Sequence, residues 1–177
     1  MAVTAAQDQE LAPDDQLAQV AAAVLGTPHP VVVDLLDIAR ARPDRPVDVV
    51  RASDDLLPRL AHENALPQAL RAAREVLRPG GLLVAAVPRV LGRGDERQVT
   101  VQLWDWAPDG GSYALDVVRL VRGPASWEVA GSVSTQHRVL TSEQVAEELA
   151  EAGFGPVQRL SPAESGHPLP VWVALVP

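Results

Sequence analysis

Apolar residues in this chain fall into two spacings. Leu17, Val20, Ala21 and Val24 recur at three- and four-residue intervals, which places them on one face of a helix. Asp14 or Asp15 stands where a cap is needed, and Gly26 where such a helix ends. Residues 27–30 read as a turn. Residues 31–33 are a short apolar run ending at Asp34, which predicts a buried strand leading into a helix through Ala41, broken by Pro43 and Pro46. A second strand over 47–51 runs into the acidic turn Ser53-Asp54-Asp55. A helix over 64–77 is stopped by Arg78-Pro79-Gly80-Gly81, and residues 82–87 form a third strand.

This alternation predicts a parallel sheet covered by helices on both faces. The rhythm then changes to longer alternating stretches over 98–106, 112–121 and 127–139, separated by Pro-Asp-Gly-Gly and Arg-Gly-Pro. Those stretches predict antiparallel strands, an insertion at about 97–139. Thr141 caps a helix through Ala152 that Gly153 closes, and residues 157–160 and 169–176 supply two final strands. Residues 1–13, small and polar, read as a flexible arm, and residues 14–177 as a single domain.

Composition narrows the chemistry. The chain has 177 residues, 47% hydrophobic and 21% charged, as in ordinary globular proteins. Its apolar runs are too short to span a bilayer, and no export signal is visible at the start, so a cytoplasmic protein is expected, with no membrane partner. The net charge of −8 opposes phosphate binding, which argues against nucleic acid. There is no lysine, hence no Schiff base, and no cysteine, hence no thiol nucleophile or thiolate zinc site. His29, His62, His137 and His167 show no paired ligand spacing, so no metal is expected.

Several segments carry a resemblance. LRAAREVLRPGGLLVAAV, residues 70–87, is similar to the helix and fifth strand of class I S-adenosylmethionine (SAM) dependent methyltransferases, and VDVVRASDDLLPRL, residues 47–60, to their fourth-strand motif. QLWDW, HR, LAEAGF and SG then follow in the order seen in methyltransferases of the glycine and sarcosine N-methyltransferase type. The resemblance covers about residues 31–176 and implies an α/β, Rossmann-like fold with an abbreviated N-terminal half and an antiparallel β insertion before the last helix and strands. SAM is the cofactor it implies. The glycine-rich loop that would cradle SAM has no counterpart, since Gly26 is the only glycine before Gly80. The family's first strand also looks absent. Asp55 and Arg59 stand where relatives often carry asparagine and histidine, and VPRVLGRG replaces a polar sequence after the fifth strand.

Asp34 occupies the place of a ribose-binding carboxylate, although capping the next helix is favoured once the glycine loop is missing. Asp54 and Asp55 are candidates for polarising an amine or receiving its proton, and Asp54 for a cofactor contact; as turn formers they are equally reasonable. Trp104 and Trp106, two apart on a strand, share a face and can wall a pocket or interface, extended by Tyr113; sheet core is the plainer role. His137 and Arg138 offer a titratable group and a carboxylate fork, or an exposed strand end. Arg89, Glu164 and His167 read as solvated loop residues. Two functions follow: a degenerate homologue acting as an auxiliary or regulatory subunit, in a homodimer or with an intact methyltransferase, or an active enzyme. That enzyme would be a small-molecule N- or O-methyltransferase with unconventional or partner-completed SAM binding, or a cofactor-free catalyst reusing the acceptor pocket.

Overall fold

The computed structural model describes residues 13–53, 55–86, 93–94, 97–167 and 169–177. The first helix, α1 (Pro13–Leu25), contains both Asp14 and Asp15, so it starts before either can cap it. Strand β1 (Val32–Asp34) leads into a single helical turn, α2 (Leu35–Ile38), shorter than the helix expected through Ala41. Strand β2 (Val47–Ala52) follows. The helix expected over 64–77 is α4 (Leu66–Val76); a helix that was not expected, α3 (Leu56–His62), precedes it, and Asn64, whose φ of 56° is left-handed, lies between the two. Strand β3 (Leu77–Ala86) includes the Pro-Gly-Gly segment as an irregularity: Gly80 has a left-handed φ of 72°, and the pairing with β2 jumps from Leu77 to Leu82 across it.

Two sheets result. The larger runs in the order β1-β2-β3-β9-β8, where β8 is Val157–Leu160 and β9 is Val171–Leu175, with β1, β2 and β3 parallel. Strand β1 pairs β2 directly, with no strand between them, which fits the expected abbreviation. The smaller is β4 (Arg93–Gly94), β5 (Gln98–Trp106), β6 (Ser112–Arg122) and β7 (Trp127–Arg138), an antiparallel meander in chain order, as the alternating pattern predicts. Helix α5 (Ser142–Glu151) then returns the chain to the first sheet. Thr141 accepts from the Gln144 N–H and the Gln144 side chain accepts from the Thr141 N–H, closing a capping box. Strand β8 (Val157–Leu160), a turn of helix α6 (Pro162–Ser165) and strand β9 (Val171–Leu175) complete it. Strand β9 lies antiparallel between β3 and β8.

Side chains of the central strands alternate between two cores, as strand geometry requires. Leu83, Ala85, Trp172 and Ala174 join α3, α4 and α5 on one face. Leu82, Val84, Val171 and Val173 meet Leu17, Val20 and Ala21 of α1 on the other. Asp48 ties three strands together at one end of the sheet, accepting from the Val31 N–H at 2.7 Å and from Arg78 Nε at 2.5 Å. These bonds hold its carboxyl below the ordinary value, the backbone bond most.

Candidate functional site

Parallel strands open their ligand crevices at their carboxyl ends, and here Asp34 ends β1 while Arg51 and Ala52 end β2. The parallel register sets Asp34 beside Arg51. Arg51 Nε donates to one Asp34 oxygen at 2.7 Å and its Nη2 to the other at 2.9 Å, a bidentate fork. Asp34 stands at the N-cap position of α2 but makes no capping bond with its side chain. The favoured capping role is thus corrected: Arg51 captures the carboxylate first. The pair borders an open pocket of about 200 Å³ that Asp37, Arg40, Ser53 and Leu56 also line.

The start of α3 separates this pocket from a second, of about 90 Å³, whose wall includes Leu57, Pro58, Leu140, Val145 and Trp172. Asp55 sits at that start without capping the helix, its side chain about one-third exposed. Its Oδ2 lies 3.4 Å from His137 Nε2. His137 is fully enclosed, which corrects the exposed strand end expected for it. Cross-strand register puts His137 opposite Tyr113 and Tyr113 opposite Trp106, so all three share one face of the smaller sheet. Tyr113 stacks on His137 at 4.8 Å between centroids and 10° between planes; Trp104 and Trp106 lie 4.7 and 4.9 Å from Tyr113. Burial, then the Asp55 charge, pushes the Tyr113 phenol up to about 12.

With Nε2 protonated, His137 donates to Asp55, and its Nδ1 becomes an acceptor with no partner. The ring itself is sealed, so Asp55 is the member of the pair that a small molecule can meet. Trp104 Nε1 is also buried without a partner, whereas half of Trp106 is exposed. Arg138, expected beside His137 as a fork for a carboxylate, does not share its face. Neighbours on a strand point to opposite faces, and Arg138 reaches Glu148 of α5 at 4.0 Å. Arg59 lies in the last turn of α3, and no ion pair or side-chain hydrogen bond among the described residues joins it to the cluster. Asp54 and Arg89, like residues 1–12 of the expected arm, lie outside the described residues.

The solvated loop expected at His167 is corrected, whereas Glu164 is solvated as expected but stands in a helical turn. His167 is buried, its Nδ1 accepting from the Leu169 N–H at 3.1 Å. Glu164 sits in α6 and binds the Ser161 N–H and hydroxyl at 2.8 and 2.7 Å, which lowers its pKa. Sequence reasoning missed Arg51 altogether. Its signal was available: an acid and an arginine at the carboxyl ends of consecutive strands become neighbours if those strands are parallel. Among the described residues no group of three or more histidines or acids is placed to hold a metal, and no helix is long and apolar enough to cross a membrane.

Three parallel strands, an antiparallel final strand set between β3 and β8, and helices on both faces define a Rossmann-like fold of the class I SAM-dependent methyltransferase kind. No protein-family model matches the chain, and no curated protein matches its sequence. The likeness is to solved structures. CalS10, an amino pentose methyltransferase from Micromonospora echinaspora with SAM bound, aligns with a TM-score of 0.65 at 16% identity, over 96% of this chain and 93% of that one. The CcbJ methyltransferase of Streptomyces caelestis gives 0.64 at 14% identity, over 99% and 100%. A SAM-dependent methyltransferase from Clostridium acetobutylicum gives 0.61 at 11% identity over 79% of this chain, which spans only 62% of that enzyme. At such identities the fold is what is shared.

Proposed function

We propose that this chain is a cytoplasmic methyltransferase-fold protein that does not methylate alone and serves as an auxiliary subunit beside an intact methyltransferase. Bound SAM would supply an activated methyl group whose transfer needs little acid or base help, so the protein's task is binding and alignment. The observation that carries the reading is the Asp34–Arg51 fork. Both oxygens of the carboxylate that ends β1 already accept from Arg51, so a ribose diol would have to share the group with a guanidinium that holds one lone pair of each oxygen. The pocket around it is lined by acids, arginines, leucines and a serine, with no glycine to let backbone amides approach a nucleotide. These residues do not fit the family's way of holding SAM.

Calorimetric titration with SAM and with S-adenosylhomocysteine tests this. The lone protein should give no saturable heat, while a mixture with the intact partner should. Saturable micromolar binding by the lone protein overturns the reading.

One observation favours a second reading, an active catalyst for a small acceptor. Asp55 is partly exposed beside a sealed histidine and an aromatic wall, an arrangement suited to receiving a proton from an amine. The acceptor would then be a small amine, in the class of the amino pentose named for CalS10. Transfer of labelled methyl from SAM to amino sugars by the lone protein, lost in Asp55→Asn, would favour this reading over the first.

A further inference from the structure

The smaller sheet has a second face, opposite the aromatic cluster. Register assigns to it Val101 opposite Val118, Leu103 opposite Asp116, Leu120 opposite Val129 and Arg122 opposite Trp127. Neither hydrophobic core includes any of these residues. Leu103 is 55% exposed and Val129 66% exposed, and Trp127 is exposed beside them. Isolated exposed apolar residues are ordinary, but a contiguous band of valine, leucine and tryptophan on one sheet face marks an interaction surface.

The charges on that face choose the occupant. Asp105 and Asp116 lie at one end of the band and make no ion pair among the described residues, while Arg138, at the same end, is paired with Glu148 of α5. Arg122, six residues along β6 from Asp116 and so about 20 Å away, lies at the other, its guanidinium 5.4 Å from the Trp127 ring centroid. A face that is acidic at one end, apolar in the middle and basic at the other complements a second copy of itself. A two-fold axis running across the strands sets each acidic end over the partner copy's basic end, whereas an axis along the strands sets like over like.

We infer that this face is the interface of a two-fold homodimer, two smaller sheets stacked face to face with their strands running in opposite senses. Asp116 of each copy meets Arg122 of the other, and Val101, Val118, Leu120 and Val129 fill the centre.

Sedimentation equilibrium of the full chain should give a mass near twice 18.8 kDa. Val129→Asp should dissociate it, with an unchanged far-ultraviolet circular dichroism spectrum to show that the fold survives. Asp116→Arg and Arg122→Asp should each weaken the dimer by at least about tenfold, because each sets like charges opposite one another. Mixing these two variants should restore the dimer, since every cross-copy pair is then of opposite sign. A monomer at all concentrations overturns the inference. So does a dimer indifferent to all three substitutions, a mixture no tighter than its components, or association through this face only with an intact methyltransferase.

Discussion

Tyr113 is the chain's only tyrosine, so its ionisation can be followed alone by near-ultraviolet phenolate absorbance. It is 5% exposed, enclosed by Trp104, Trp106 and His137, with the Asp55 charge nearby. Burial and that charge lift its pKa from 10.0 to about 12. Two units correspond to roughly 3 kcal/mol of preference for the neutral phenol over the phenolate. In the unfolded chain the proton leaves first, near pH 10. Between pH 10 and 12 the unfolded state therefore binds fewer protons than the native one, and stability falls as pH rises through that window while staying insensitive to this group below it. A pH-jump titration, read before global unfolding, should place the native midpoint near 12 and the guanidinium-unfolded midpoint near 10. Because burial is the larger cause, Asp55→Asn should lower the native midpoint without bringing it to 10. A native midpoint near 10 would refute the enclosed cluster, and an unmoved midpoint in Asp55→Asn would refute the closeness of Asp55.

Three further outcomes can be checked by thermal or urea unfolding. Thr141→Ala removes one half of the capping box of α5 and should cost about 1 kcal/mol, a fall in Tm of about 2–4 °C. Gly81→Ala places a Cβ 2.9 Å from the Arg78 and Asp48 carbonyl oxygens, both backbone, and should destabilise by about 1–3 kcal/mol as β2 and β3 are forced apart. Asp48 has a lowered pKa, so the stability it contributes is present above its unfolded value of 3.8 and is lost as pH falls below it; Asp48→Asn should flatten that acid limb.

Much of this architecture is legible in the sequence, because period is a property of single segments. The α1 stripe, the long alternating strands of the meander and the Thr141 cap each declare themselves within a dozen residues. Helix α3 does not. Its seven residues LLPRLAH carry a proline inside and an apolar start that reads as well as a loop margin. Of the candidate site, Trp104 and Trp106 were found through spacing along a strand, Tyr113 as their extension on the next and His137 through its chemistry, and register brings them onto one face. The burial of His137 and His167 was not, since a lone histidine gives no sign of which elements will close over it. The Asp34–Arg51 fork lies between: each residue is visible at a strand end, but their partnership exists only once the strands are known to be parallel and adjacent.

The placement of β9 has a consequence for how the molecule comes into being. It is the last strand in the chain, yet it fills an interior position of the larger sheet, and the core it shares with α1 joins residues near opposite ends of the sequence. Until Val171 and Val173 have left the ribosome, α1 lacks part of the surface it must cover, and β8 has no strand to pair with. The meander, by contrast, is made of neighbours and can zip as soon as it is synthesised. Synthesis therefore delivers a finished appendage before a finished body, and the nascent chain passes through a stage in which the smaller sheet is complete while the larger still lacks an interior strand.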